Sequence, residues 1–177
     1  MKNKKEIILT TLGFQDENKN PISFIKNFQK INNQDCKYKY YIIGNIELNT
    51  YKKIQKISKL DKNIIIKNKY LEYREYKKYF DKADMIVIPE SKNYRYLSSG
   101  LVWDCFSNKK NFFAPNSALF QFYLKKYKVG CIYKKNNLPD LFKKIKSIKK
   151  NSQNEFAKLH RDYSQKQNIK IFKKILF

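Results

Sequence analysis

The chain has 177 residues, 42% of them hydrophobic, and its 39 lysines and arginines against 15 acidic residues give a formal net charge of +24. This length suits one domain that buries roughly 70% of its unfolded surface, and the hydrophobic content excludes a generally disordered protein. The charge fits either the codon bias of an AT-rich genome or attraction to an anionic partner, such as a nucleotide, a nucleic acid or a membrane face.

Strand patterns and helix patterns alternate along the whole chain. Apolar runs predict strands at 6–14, 38–45, 63–71, 85–91, 111–115 and 129–134. Apolar residues at helical spacing predict helices at 20–31, 50–60, 72–84, 98–110, 117–127 and 137–150. This alternation predicts a doubly wound α/β fold of the Rossmann type, with a mostly parallel sheet of about six strands and helices on both faces. We assign residues 1–150 to this Rossmann-like lobe and residues 151–177 to a basic helical tail of the same domain.

Three cysteines, Cys36, Cys105 and Cys131, lie far apart and in no spacing that is typical of a metal site. Their odd number excludes a complete disulfide framework, so the sequence favours a reduced, cytoplasmic compartment. No apolar run approaches the ~20 residues that span a bilayer. The run "IILTTLGF" is too short for the core of a secretory signal, so we expect no signal peptide.

Two loops after predicted strands carry candidate binding residues, because ligands of an open parallel sheet bind beyond the carboxyl ends of its strands. Gly13 ends the first strand and lets the backbone approach a ligand closely. Lys19 comes just before a helix start, where phosphate also meets free N–H groups. The loop after the third strand places Tyr70 and Leu71 as one wall of a base pocket, or as an ordinary connection.

The segment Ser98-Ser99-Gly100 opens a predicted helix at the same edge of the sheet. Two hydroxyl groups and the free N–H groups of a helix N-terminus form a cradle for a diphosphate, although an isolated serine of this kind also acts as a plain N-cap. Asp104 follows one turn later. Its carboxylate is placed either to accept hydrogen bonds from ribose hydroxyls or to face Lys109 or Lys110 at the surface.

In this order the features resemble the C-terminal, donor-binding lobe of glycosyltransferases built from two Rossmann-like lobes, in particular the large retaining group whose bacterial members make capsule and lipopolysaccharide sugars. The resemblance covers nearly the whole chain. It is carried by "ILTTLGFQDENKNP", by "EYKKYFDKADMIVIPES", and by "SSGLVWDCFSNKKNFFAP" with "YKVGCIY". Phe14 stands where many members have an arginine.

The resemblance implies a site for a nucleoside diphosphate sugar, whose sugar passes to an acceptor hydroxyl in surface polysaccharide or lipopolysaccharide synthesis. The positions that hold the donor diphosphate in this family match Gly13, Lys19, Ser98, Ser99, Gly100 and Leu101. The acid that binds ribose in the family matches Asp104. The family's acceptor lobe has no counterpart in these residues, so we expect the chain to need a separate acceptor lobe or a longer protein, and to be inactive alone. No carboxylate cluster suits Mg²⁺, so we expect neither a metal nor a cofactor besides the donor substrate.

Two other functions stay open: a non-catalytic nucleotide-sugar-binding module, and a basic nucleic-acid-binding protein that uses the same fold. Against the latter, the chain has no recognisable nucleic-acid-binding motif and its positive charge is spread along its length. In the tail, Ile169, Phe172 and either Ile175 or Leu176 recur at helical spacing with lysines between them. This pattern favours packing on the protein, or peripheral contact with an anionic membrane at its inner face.

Overall fold

The computed structural model of the chain describes residues 6–35, 38–59, 61–91, 99–134 and 138–163. Within these ranges, the strands are β1 (Ile7–Leu12), β2 (Lys19–Asn20), β3 (Tyr38–Gly44), β4 (Ile64–Asn68), β5 (Met85–Val87), β6 (Glu90–Ser91), β7 (Phe112–Pro115) and β8 (Gly130–Tyr133). The helices are α1 (Ile22–Asp35), α2 (Leu48–Ser58), α3 (Tyr73–Lys82), α4 (Gly100–Ser107), α5 (Ala118–Lys126) and α6 (Leu138–Asp162).

Six of these strands form one parallel sheet in the order β4-β3-β1-β5-β7-β8. The chain starts in the middle of the sheet, runs outward through β3 to β4, returns to pair β5 with β1, and runs outward again to β8. The direction of winding therefore reverses between β1 and β5, which is where open α/β sheets bind ligands. The parallel six-stranded sheet predicted from the alternating patterns is confirmed.

Two clusters of buried side chains cover the two faces of the sheet, because successive residues of a strand point to opposite sides. In β3, Ile42 belongs to one cluster and Ile43 to the other. The first cluster also takes Phe24 and Phe28 from α1 and Ile54 from α2. The second cluster includes residues of α3, α4 and α5, among them Phe80, Val102 and Phe120. Helices therefore lie on both faces, as predicted.

Helix α6 crosses from one face of the sheet to the other. Phe142 and Ile145 pack in the first cluster, and Phe156 and Leu159 pack in the second. The predicted division between lobe and tail at residue 150 falls inside this helix. The apolar stripe predicted in the tail lies outside the described residues.

The carboxyl ends of β1 and β3 approach each other with their backbones in contact. Gly13 has φ of +93° and Gly44 has φ of +146°, conformations that side chains disfavour. A Cβ atom on Gly44 would lie 2.1 Å from the carbonyl oxygen of Gly13. The Gly13 N–H also donates to the Ile43 carbonyl at 3.1 Å. The loop after β1 is thus fastened to the end of β3.

Candidate functional site

A cleft of about 220 Å³ opens where the direction of winding reverses, beyond the carboxyl ends of β1 and β5. Its walls come from the end of β1 and the loop after it, from α3, from the segment after β5 and from the start of α4. The lining residues are Leu12, Gly13, Phe14, Gln15, Lys19, Tyr76, Pro89, Ser99, Gly100, Leu101 and Asp104. The structure therefore brings together six of the predicted residues: Gly13, Lys19, Ser99, Gly100, Leu101 and Asp104.

Asp16 shapes the loop that carries Lys19 to the cleft. Its Oδ1 accepts the main-chain N–H of Asn18 at 3.0 Å and that of Lys19 at 2.7 Å. A short acidic side chain that binds the backbone two and three residues ahead forms a local turn. Lys19 then enters β2, which pairs with β6 opposite Ser91. The turn at Asp16 and the pairing with β6 thus hold the main chain of Lys19. They fix the point on the cleft wall at which its side chain begins.

The start of α4 forms the facing wall. Ser99 is the N-cap residue with φ of −79° and ψ of 133°, yet its hydroxyl makes no capping hydrogen bond. The first helical bond is a backbone one, from the Val102 N–H to the Ser99 carbonyl at 2.9 Å. A plain N-cap requires the serine hydroxyl oxygen to accept a backbone N–H of the first helical turn, and that bond is not formed. The partial positive charge of the helix N-terminus instead meets the cleft at Gly100 and Leu101.

Asp104 lies one turn further along α4 and accepts a hydrogen bond from the Tyr76 hydroxyl at 2.6 Å. Burial, and then the neighbouring Asp104 carboxylate, raise the pKa of Tyr76 far above its usual range, so the hydroxyl stays protonated and donates. Lys110 is one of the two lysines that the sequence offered as surface partners of Asp104. Its Nζ donates to the carbonyl oxygens of Asp81 and Ala83. A carboxylate accepts several hydrogen bonds, so Asp104 retains capacity for a ligand hydroxyl beside Tyr76.

Gln15 is a buried polar residue in the same cleft, only 1% exposed. Its main-chain N–H donates to the Asn45 carbonyl at 3.0 Å, and its carbonyl accepts the Glu47 N–H at 2.9 Å. These bonds extend the pairing of β1 with β3 beyond the strands themselves. The side-chain Oε1 is buried without a hydrogen-bond partner among the described residues.

The remaining predicted residues lie elsewhere. Tyr70 is 82% exposed, and Leu71 packs against the second buried cluster beside α3. Neither residue lines the cleft, so the structure does not bring the predicted base-pocket wall to it. Ser98 lies outside the described residues.

A larger groove of about 810 Å³ runs between α2 and the edge strand β4. It is lined by residues of both elements and of the turn between them, including Lys52, Lys56, Lys59 and Lys62. None of the predicted site residues contributes to it. It is also remote from the reversal of winding, so we place the functional site at the smaller cleft, where polar side chains from the loop after β1, from α3 and from the start of α4 converge.

Sequence reasoning missed Tyr76, Gln15 and Asp16. An aspartate three residues before Lys19, at the start of β2, is an ordinary turn signal, so Asp16 was open to prediction from the loop "GFQDENKN". Tyr76 carried no such signal, because its partner Asp104 belongs to a different helix.

Two further features concern only the described ranges. There, no three His, Cys, Asp or Glu side chains group as a metal site would require. In the same residues, no helix is both long and apolar enough to cross a bilayer. Of the cysteines in this part of the chain, Cys105 is buried and Cys131 half-buried. Burial raises the pKa of the Cys105 thiol.

No protein-family description matches the sequence, and no curated protein matches it either. Solved structures do match the fold of the chain. The C-terminal domain of the glycosyl transferase group 1 family protein LpcC from Francisella tularensis matches with a TM-score of 0.72 and 16% identity, over 91% of this chain and 88% of that one.

Two longer proteins share the same fold. Anabaena Alr3699/HepE, solved with UDP and glucose, matches with a TM-score of 0.74 and 8% identity over 97% of this chain and 48% of its own. UDP-GlcNAc 2-epimerase from Neisseria meningitidis, bound to UDP-GlcNAc, matches with a TM-score of 0.61 and 13% identity over 88% and 40%. The chain thus spans less than half the length of these two proteins. It has the fold of the C-terminal lobe of two-lobed glycosyltransferases.

Proposed function

We propose that the chain is the donor-binding lobe of a glycosyltransferase and binds a nucleoside diphosphate sugar in the cleft beyond β1 and β5. The observation that carries this proposal is the convergence of Lys19, the start of α4 and Asp104 on one cleft at the reversal of winding. The fold supports it, since similar structures were solved with UDP or a UDP sugar.

Each wall has a role in this proposal. Lys19 and the N-terminus of α4 neutralise the diphosphate, and Asp104, held by Tyr76, accepts a ribose hydroxyl. In the transfer, the bond between the anomeric carbon and the diphosphate oxygen breaks while a bond to the acceptor oxygen forms. The acceptor hydroxyl loses its proton. The charge that develops on the leaving diphosphate is stabilised by groups already in place, which is the usual source of such catalysis.

The acceptor side of the reaction belongs to a second lobe in this proposal, contributed by a separate chain or by a longer protein. Surface polysaccharide or lipopolysaccharide synthesis in the bacterial cytoplasm, at the inner face of the membrane, is the setting that the resemblance implies. We therefore expect no transfer to any added acceptor by the 177 residues alone, and transfer by them would overturn this part of the proposal.

Thermal denaturation with added nucleotides tests the binding proposal. A ligand that prefers the folded state stabilises it by mass action, so a nucleoside diphosphate at 100 times its Kd should add about 2.7 kcal/mol. UDP, GDP, ADP and their sugars form the panel. If none of them at millimolar concentration raises the melting temperature, the proposal fails.

Substitution of Lys19 by alanine tests the role of its charge. We expect Lys19→Ala to weaken nucleoside diphosphate binding by about 1–3 kcal/mol, the size of a charge-assisted hydrogen bond. Binding of the uncharged nucleoside should change much less. The matched control is Lys125→Ala, an exposed lysine of α5 that does not line the cleft. Equal losses for nucleotide and nucleoside would show that Lys19 acts on the shape of the loop.

A non-catalytic nucleotide-sugar-binding module is the second candidate. It is favoured by Phe14, an exposed aromatic residue on the cleft wall where the resembled family often has an arginine. Nucleotide binding without turnover, even when the missing lobe is supplied, would support it. A nucleic-acid-binding role would instead show as RNA binding that falls steeply with salt.

A further inference from the structure

Gln15 has a buried acceptor atom that the fold itself does not use. The residue is 1% exposed, and its Oε1 has no hydrogen-bond partner among the described residues. Buried polar side chains in folded proteins nearly always have partners, and leaving an acceptor unpaired is destabilising. An exception at the wall of a ligand cleft indicates a partner that comes with the ligand.

The main chain holds Gln15 in place, so its side chain cannot leave the cleft by a shift of the loop. Both of its backbone groups are bonded to the segment after β3, at Asn45 and Glu47. It also forms a parallel bridge with Ile46. This backbone pairing makes no demand on the side chain, and an apolar residue would satisfy it equally well.

The orientation of the carboxamide determines which of its atoms is free. Nε2 faces the carbonyl oxygen of Gly13 at 3.4 Å, which is a long and weak hydrogen bond. The reversed orientation would bring two acceptor oxygens together, so the nitrogen stays toward Gly13 and the oxygen stays free. Because Oε1 is a hydrogen-bond acceptor, it repels phosphate oxygens and pairs only with an O–H or N–H group of a ligand.

We propose that Gln15 selects the ligand of this cleft by accepting a hydrogen bond from its non-phosphate part, through a hydroxyl or N–H group. The inference rests on the proposed binding of a nucleoside diphosphate sugar. In such a ligand the donors are the sugar hydroxyls, the ribose hydroxyls and the base N–H groups. Because Oε1 is buried, the Gln15 carboxamide must rotate about its terminal torsion angle to reach a ligand in the cleft. Oε1 has no hydrogen bond to lose in this rotation.

The test replaces Gln15 by methionine, which keeps the length of the side chain and removes both polar atoms. Without nucleotide, Gln15→Met should melt at the same temperature as the wild type or higher, because an unpaired buried acceptor is removed. Its Kd for the nucleoside diphosphate sugar should rise about tenfold, measured by calorimetry with UDP, GDP, ADP and their glucose conjugates.

A matched control comes from Gln29, whose Nε2 donates to the Ile57 carbonyl at 2.9 Å away from the cleft. Gln29→Met should lower the melting temperature and leave the Kd unchanged. With Gln15→Met, a loss confined to the glucose conjugate assigns the bond to a sugar hydroxyl, and an equal loss for the diphosphate alone assigns it to the nucleoside.

Three results would overturn the inference. If Gln15→Met binds as tightly as the wild type, Gln15 does not contact the ligand, and the proposed function stands. If the variant melts at a clearly lower temperature, the carboxamide is structural. If the wild type binds no member of the panel, the function and this inference fall together. Should the variant not fold, deoxy analogues of the bound ligand and base analogues that lack the N–H groups give the answer on the wild type, since unchanged affinity for all of them contradicts the inference.

Discussion

Glycine occurs on both walls of the cleft, in two different settings. On the wall formed by the end of β1, Gly13 has a positive φ angle. Gly44 at the end of β3 also has a positive φ angle, and the two backbones touch where a Cβ of Gly44 would be. On the wall formed by α4, Gly100 lies at the first position of the helix, and a Cβ added there would meet no atom within 4 Å.

This difference separates what the fold requires from what a ligand would use. The close approach of Gly13 and Gly44 is needed to fasten the loop after β1 to the end of β3. Among the described residues, no contact requires a glycine at position 100, where alanine would favour the helix. The free space beside Gly100 lies where the positive end of α4 meets the cleft, and it is therefore available to a phosphate group.

The largest effect is expected from Gly44→Ala. A methyl group 2.1 Å from the Gly13 carbonyl oxygen forces the two strand ends apart, and the positive φ adds strain. We expect the free energy of unfolding to fall by about 4 kcal/mol, the size seen when buried backbone must move. Chemical denaturation measures it. A loss of less than about 1 kcal/mol would show that the strand ends separate easily.

A smaller loss is expected from Gly13→Ala, because its Cβ would meet nothing within 4 Å and only the φ of +93° is unfavourable. We expect about 2 kcal/mol, the usual cost of this backbone region for a residue with a side chain. Gly13→Asn is the control, since asparagine tolerates positive φ better than alanine. Equal losses for alanine and asparagine would point to lost space instead of backbone strain.

The fold was largely predictable, because most of its elements have their own periodic pattern. The alternation of strands with helices indicated a parallel sheet, and the wholly apolar β5 lies next to β1 in the middle of that sheet. The pairing of β2 with β6 was not predictable, since strands of two residues are too short to show an alternating pattern of apolar side chains. The continuity of α6 was also missed. Its polar segment at 151–155 looks like a break, yet there the Ser152 hydroxyl donates to Asn111 in the interior.

The candidate site was predictable only where position along a strand or helix decides the role. Gly13, Lys19, Ser99, Gly100 and Asp104 all follow from the rule that strand ends and helix starts meet at one edge. Gln15 is buried because its backbone pairs with Asn45 and Glu47, a long-range event with no local pattern. Their convergence is visible in the structure, and the ligand they bind stays a prediction.

The smallest change in stability is expected from Gly100→Ala, the substitution that separates the two walls most clearly. The added methyl group meets no neighbour, and alanine is the better helix former, so the free energy of unfolding should stay the same or rise by up to about 1 kcal/mol. If a phosphate lies against the start of α4, the methyl group should hold it away from the N–H groups. Nucleoside diphosphate binding should then weaken by about 1.5 kcal/mol, the lower range for a hydrogen bond to a charged group.

The matched control is Ser107→Ala, an equally small change at the exposed far end of α4. It should alter neither stability nor binding by more than about 0.5 kcal/mol. Denaturation and calorimetry on both variants give the comparison. Unchanged binding in Gly100→Ala would mean that the diphosphate does not reach the helix start, and the Lys19 wall would then have to hold it alone. Lost stability in Gly100→Ala would instead mean that the fold needs this glycine as well, and the two walls would no longer differ.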